Sequence, residues 1–171
     1  MAPKRFFIEQ LQARYTELLG NAKRTAIDAG DAAAHMATEA EKREDARAAV
    51  EFGSLAKGHA IRMRRASEEL EVLGKFALRE LPQFNSKSPI GIGAMVDVAI
   101  DNDNGDGEER TLMLLPVGAG TELTGPGGDG FISVITPWSP LGKSLLGKRA
   151  GDVIDVTING ELREWTIVDV S

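Results

Sequence analysis

The sequence contains no cysteine and only two histidines among its 171 residues. The missing thiols exclude disulfides and thiolate metal sites, and two histidines leave little for a His-based metal centre or catalytic triad. Aromatic residues are scarce, at 5%, and no run approaches the roughly 20 apolar residues that cross a bilayer. We therefore expect a cytoplasmic protein with no bound cofactor of its own and no membrane partner.

Proline is absent between Lys4 and Leu81, whereas residues 82–89 hold two prolines and several small polar residues. The charge balance changes at the same place. Residues 1–88 carry 15 basic and 13 acidic side chains, a net of +2, and residues 89–171 carry 5 and 13, a net of −8, which together give the −6 of the whole chain. An acidic second half is unsuited to holding nucleic acid directly. We predict a first domain at 1–81, a linker at 82–90 and a second domain at 91–171.

Two heptad stripes of mostly apolar residues run through the first domain and predict two helices that form an antiparallel coiled-coil hairpin. The first helix is expected at about 5–39, and the charged segment 38–46 is expected to form the tip. The stripes are Ile8, Leu11, Tyr15, Leu18, Ala22, Thr25, Ala29, Ala32 and Met36 in the first helix, and Ala49, Phe52, Ala56, His59, Met63, Ala66, Leu70, Leu73 and Ala77 in the second.

Alternating residues predict strands in the second domain, at 95–100, 111–117, 153–158 and 162–170. Asn104-Gly105 and Asn159-Gly160 are typical of tight turns and predict two hairpins. The glycine-rich segment 118–130 fits no phosphate-binding pattern and is expected to be a flexible loop. Trp138 and Trp165 are expected to be core or shelf residues.

A short helix is predicted from Pro140 to Leu146, because Ser139 is a favoured N-cap and Gly147 a favoured C-cap. Its small residues should face outward and its last two leucines should be mostly buried; these are Gly142 and Ser144, and Leu145 and Leu146.

This segment resembles the signature of the bacterial Gre transcript-cleavage factors. The residues that carry the resemblance are Ser139-Pro140-Leu141-Gly142-Lys143-Ser144-Leu145-Leu146-Gly147-Lys148 and Gly151-Asp152. The order of hairpin, linker and β domain is also similar. The resemblance implies an α+β protein, with an N-terminal antiparallel α-helical coiled-coil hairpin followed by a small FKBP-like β-rich domain. It implies further that this domain docks on bacterial RNA polymerase, and that the coiled coil enters the secondary channel and presents acidic residues there. DNA binding is also among the properties that it implies.

The tip follows the family pattern loosely. The family has Asp, two variable residues, Glu, Asn and Ala, whereas this chain has Glu41-Lys42-Arg43-Glu44-Asp45-Ala46, with Arg47 where an acidic residue is frequent. We expect Glu41, Glu44 and Asp45 to assist catalysis by the polymerase, with Glu41 and Glu44 on one helix face sharing a Mg²⁺ ion only within the polymerase complex. Acidic residues at a helix start also offset the helix dipole, so the same pattern is compatible with a purely structural role.

Two further sets of residues are candidates for contacts. Ser139, Pro140, Leu141 and Lys143 are expected to bind polymerase, and Lys57, Arg62 and Arg65 to contact RNA or the channel wall. The predicted protein is a monomeric elongation factor, not itself an enzyme, that stimulates transcript cleavage by the polymerase, meets the nascent RNA 3′ end indirectly and rescues backtracked complexes. One alternative is a regulator that blocks the channel without promoting cleavage. The other is an FKBP-type prolyl isomerase, which the sequence disfavours because it shows no aromatic-lined pocket.

Overall fold

The computed structural model describes residues 4–34, 45–101, 107–158 and 160–171. Two long helices precede a six-stranded sheet domain that carries one short helix, which confirms the predicted fold class. The elements are α1 (Lys4–Ala34), α2 (Asp45–Ala77), β1 (Met95–Ile100), β2 (Glu108–Leu114), β3 (Glu122–Thr124), β4 (Phe131–Ile135), α3 (Pro140–Leu145), β5 (Val153–Ile158) and β6 (Glu161–Val170).

The chain divides into two compact units whose boundaries lie inside the long helices. The first unit joins the beginning of α1, up to Leu11, to everything from Val72 onward, and the second comprises Gln12–Glu71. The segment 82–90 therefore lies within the first unit. Backbone hydrogen bonds hold its end in place, from Ile90 N to Lys148 O at 2.8 Å and from Gly147 N to Ile90 O at 2.9 Å.

The sheet has the strand order β3-β4-β2-β1-β6-β5, and every neighbouring pair is antiparallel except β2 and β4. Both predicted hairpins form, with Ile100 opposite Glu108 and Ile158 opposite Glu161. The second strand was expected at 111–117 but ends at Leu114. Pro116 follows closely and has no amide hydrogen to donate to a neighbouring strand.

The expectation of a flexible loop at 118–130 was wrong, because this segment contains β3. Leu123 is 1% exposed and stands opposite Ile132 of β4. Burying one leucine side chain stabilises by about 1.5–3 kcal/mol, and this contact anchors a short strand among glycines.

The core of the sheet domain consists of buried residues from five strands, β1, β2, β4, β5 and β6, and is closed by α3. Leu145 of α3 and Ile167 of β6 are completely buried, and Trp165 is 2% exposed. The expectation of a core position therefore holds for Trp165. This cluster gives the short helix a fixed seat on the sheet.

The helices of the second unit are tied by a polar contact. The Tyr15 hydroxyl donates a 2.5 Å hydrogen bond to Glu69, which also pairs with Arg65. Partial burial and this contact raise the pKa of Tyr15 above its ordinary value.

Among the described side chains of the second unit, those of residues 12–28 and 53–71, apolar contact is thin. Ala66 is buried, but Leu18 and Leu55 are 46% and 65% exposed, and His59, placed in the predicted stripe, is exposed. A stripe of alanines covers little area, so side chains beyond it stay in solvent.

None of the helices in the described ranges has an apolar stretch of the length that a membrane span needs.

Candidate functional site

The segment between β4 and α3 is held rigid by one serine. Ser139 has extended backbone angles, and its hydroxyl donates to Thr136 O at 2.8 Å while accepting from Gly142 N at 3.0 Å. Pro140 occupies the first helical position, where a missing amide hydrogen costs nothing. A side-chain cap of this kind stabilises a helix by about 1 kcal/mol, so the four residues predicted to bind polymerase are presented on an ordered turn.

Their exposure follows the prediction in part. Pro140 and Lys143 are exposed, and Ser139 and Leu141 are half-buried. The positive charge of Lys143 therefore stands in solvent beside an apolar proline ring. This combination suits a partner surface that offers both a carboxylate and an apolar contact.

Two details of α3 were predicted wrongly. Gly142 is buried, because a Cβ added there would lie 1.9 Å from Thr136 O. Leu146 is 47% exposed, although Leu145 is fully buried as expected. The short helix lies so close to the preceding turn that Gly142 faces the backbone at Thr136. In this orientation of the helix, Leu146 is directed toward solvent.

Trp138 is a surface residue that the sequence interpretation placed in the core or on a shelf. Its side chain is 68% exposed, and its Nε1 donates to Pro116 O at 3.3 Å. This hydrogen bond fixes a large apolar ring directly before Ser139. The sequence signal was its position between a strand end and a helix cap, in a segment flanked by prolines.

A cavity of about 540 Å³ opens beside the same turn. Its walls come from α3, β4 and β5, and the Trp165 ring contributes to the lining. Trp165 is the aromatic member of the lining and is 2% exposed, so its ring contributes little surface to a wall of otherwise aliphatic and polar residues. The lining includes Val134, Ile135, Ser139, Pro140, Leu141 and Val156, with Arg110 and Asp155 as charged members.

The basic residues of α2 lie in the second unit. Lys57 and Arg62 are exposed, whereas the Nε atoms of Arg64 and Arg65 pair with Glu68 at 2.9 Å and Glu69 at 3.0 Å. Exposed pairs of this kind contribute little to stability, because water and salt screen them. An incoming phosphate can therefore exchange with the glutamates at little cost.

The predicted tip residues Glu41 and Glu44 lie outside the described residues, which resume at 45. Asp45 is the first residue of α2. Within the ranges that the structure does describe, no three His, Asp or Glu side chains are grouped so that they could hold a metal ion. The predicted Mg²⁺ ligands thus rest on the sequence pattern alone.

A small sheet domain with a capped short helix, preceded by two helices of 31 and 33 residues, defines a two-part α+β protein. The family described as "Transcription elongation factor, GreA/GreB, C-term" matches residues 85–171, just over half of the chain. This protein belongs to the GreA/GreB transcription elongation factor family.

Three solved structures are similar to the chain at low identity. GreA factor homolog 1 of Thermus thermophilus is 21% identical, with a TM-score of 0.38, over 100% of this chain and 96% of that one. Gfh1 of Thermus aquaticus is 17% identical, with a TM-score of 0.36, over 95% and 90%. A GreA/GreB elongation factor from Nitrosomonas europaea is 23% identical, with a TM-score of 0.35, over 54% and 64%. No curated protein matches, and the family assignment rests on the match at 85–171.

Proposed function

We propose that this protein binds bacterial RNA polymerase through the turn at Ser139–Lys143, inserts its hairpin into the secondary channel and stimulates cleavage of backtracked transcripts. The observation that carries the proposal is the pairing of a GreA/GreB-family domain with two helices of 31 and 33 residues. At 1.5 Å per residue these helices are about 46 and 50 Å long. Helices of this length suit a part that reaches into a narrow channel.

The chemistry is supplied by the polymerase, and the factor itself is not an enzyme. Hydrolysis of a phosphodiester uses one metal ion to activate water and a second to stabilise the leaving oxygen. Mg²⁺ typically binds through one or two carboxylates, with water and phosphate completing its shell. Glu41 and Glu44, assisted by Asp45, would supply carboxylates to the ion that the polymerase holds less firmly.

The exposed cations of α2 fit a contact with the extruded RNA. Lys57 and Arg62 face solvent, and the exposed side chain of Arg65 pairs with Glu69 at 3.0 Å. Phosphate contacts of this kind are sequence-independent, as a general rescue factor requires. The protein acts in the cytoplasm as a monomer in this account, and any association with DNA comes through the transcription complex.

One observation favours a second function. Glu41 stands for Asp, Asp45 stands for Asn and Arg47 replaces a frequent acidic residue in the family pattern. A tip with an added positive charge binds a metal ion less well. A secondary-channel regulator that inhibits transcription without cleavage is therefore the alternative.

The cavity beside α3 is the place where a prolyl isomerase could bind its substrate, so this alternative can be tested. A pocket of about 540 Å³ with Trp165 in its wall has room for an apolar side chain. Its neighbours at Ser139 and Leu141 belong to the proposed docking turn, and we favour docking over catalysis there. A protease-coupled assay on a prolyl peptide that shows acceleration would favour the isomerase.

The proposed function is tested with purified factor added to stalled, backtracked elongation complexes, with RNA length followed against time. We expect the transcripts to shorten faster with the factor than without it. If RNA extension slows and no shortening appears, the non-cleaving regulator is correct.

A further inference from the structure

The carboxamide of Gln10 joins the start of α1 to the outermost strand of the sheet. Gln10 Nε2 donates to Thr124 O at 3.2 Å, and Thr124 N donates to Gln10 Oε1 at 2.9 Å. Because β3 ends the strand order on one side, Thr124 presents these two groups on an open sheet edge. The side chain therefore satisfies the amide and the carbonyl that a further strand would otherwise pair with.

The next residue makes a second contact with the same part of the chain. Leu11 is 1% exposed, and a Cβ added to Gly118 would lie 2.7 Å from Leu11 Cδ2. Gly118 also has a φ of +91°, which favours glycine. Gln10 and Leu11 thus hold the two ends of the segment 118–124.

The other side of this segment is bonded to β4. Gly120 N donates to Val134 O at 2.9 Å, and Val134 N donates to Thr121 O at 2.8 Å. β4 leads into Thr136, whose carbonyl accepts the hydrogen bond from the Ser139 hydroxyl. Hydrogen bonds and the continuous backbone of β4 therefore connect α1 to the proposed docking turn.

We propose that Gln10 is a positioning residue for the cleavage activity, because its two hydrogen bonds to Thr124 hold the first turns of α1 in one geometry on the sheet that carries the docking turn. This inference rests on the proposed function. α1 continues from Gln10 to Ala34, so Gln10 lies in the first turns of the helix that leads toward the predicted tip. A displacement of about 1 Å in a reacting group can slow a reaction roughly 100-fold.

Amide hydrogen exchange of the full-length protein tests the contact itself. The change is Gln10→Ala, and the matched control is Gln12→Ala, the same residue type two positions further along α1. We expect the Thr124 amide to exchange about fivefold faster or more in Gln10→Ala, because a hydrogen bond contributes about 1 kcal/mol. The Val134 amide, bonded to Thr121, should keep its protection and report that the domain is folded.

Gln10→Glu separates the two hydrogen bonds. The carboxylate still accepts from Thr124 N, but it has no hydrogen to donate to Thr124 O and repels that oxygen. The Thr124 amide should therefore remain protected, while α1 loses one of its two bonds to the strand.

Transcript cleavage tests the positioning role. With Gln10→Ala we expect the rate at saturating factor to fall about tenfold, a moderate part of the roughly 100-fold that misplacement can cost. The factor concentration that gives half of the maximal rate should change less than twofold, because the docking turn is untouched. Gln12→Ala should match the wild type in both quantities.

The outcomes separate the two proposals. If the Thr124 amide exchanges at the same rate in Gln10→Ala as in the wild type, the proposed contact between Gln10 and Thr124 is wrong. Faster exchange with an unchanged cleavage rate overturns the positioning role and leaves the proposed function standing. A wild-type factor that promotes no cleavage refutes the proposed function and the positioning role together.

Discussion

Gly142→Ala should destabilise the sheet domain, although alanine is the better helix former. The new Cβ would lie 1.9 Å from Thr136 O, a backbone atom that cannot rotate away. Thr136 O also accepts hydrogen bonds from Ser139 N at 3.1 Å and from its hydroxyl at 2.8 Å. The substitution therefore either displaces α3 or breaks the cap that orders the docking turn.

The magnitude follows from three effects. Overpacking costs about 1–3 kcal/mol, and two weakened hydrogen bonds cost about 1 kcal/mol each. The gain from replacing glycine in a helix offsets about 1 kcal/mol. We expect the free energy of unfolding to fall by about 2–4 kcal/mol, which lowers the midpoint temperature by roughly 5–15 °C for a chain of this size.

Urea unfolding followed by the fluorescence of Trp138 and Trp165, of which Trp165 is buried in the core, measures the change. Gly20→Ala is the matched control, since nothing lies within 4 Å of a Cβ added at this exposed position in α1. It should stabilise its helix by up to about 1 kcal/mol. If Gly142→Ala is as stable as the wild type, the close approach to Thr136 is incorrect.

Two further predictions concern the docking turn and the hairpin. Replacing Pro140 and Lys143 together with alanine should weaken polymerase binding, measured by titration, while circular dichroism shows a folded domain; unchanged binding would remove this surface from the account. Tyr15→Phe should lower the stability of the helical hairpin by about 1 kcal/mol, through loss of the hydrogen bond to Glu69. The pKa of Tyr15 in the folded protein is raised from its ordinary value of 10.0. The contribution of its protonated hydroxyl to the free energy of unfolding is therefore complete below pH 10 and is lost as the pH rises further. As the pH rises above 10, the midpoint temperature of thermal unfolding should therefore fall more steeply for the wild type than for Tyr15→Phe.

Local rules account for the parts of the fold that the sequence predicts correctly. The alternation at 95–100 predicts a strand, and Asn104-Gly105 and Asn159-Gly160 each predict a hairpin, because side-chain alternation and turn chemistry act over a few residues. The cap at Ser139 and the start of α3 at Pro140 follow for the same reason.

The features that sequence reasoning missed depend on contacts between separate segments, some close along the chain and one far apart. β3 forms because Leu123 meets Ile132 across the sheet, which composition does not show. The bond between Gln10 and Thr124 spans 114 positions. Gly142 is buried because the chain before the helix passes within reach of its α-carbon, so its orientation depends on the preceding turn.

The tip remains the part of the site that depends on the sequence alone. Glu41 and Glu44 lie outside the described residues, and their role is inferred from their spacing and from the family pattern. Exposed charges at a helix start contribute only about 0.3–1 kcal/mol each to stability. Removing both carboxylates should therefore change function far more than folding.

The central claim is tested most directly by measuring transcript cleavage in backtracked complexes with the double variant Glu41→Ala/Glu44→Ala. The double variant should bind polymerase as tightly as the wild type, promote no RNA shortening and inhibit the wild type when the two are mixed. Glu17→Ala/Asp28→Ala removes the same charge from exposed positions of α1 and should cleave normally. Higher Mg²⁺ should partly restore each single tip variant, because a site that loses one ligand binds its ion more weakly. If the double tip variant shortens RNA as fast as the wild type, the acidic tip only stabilises a helix end, and the account of cleavage is wrong.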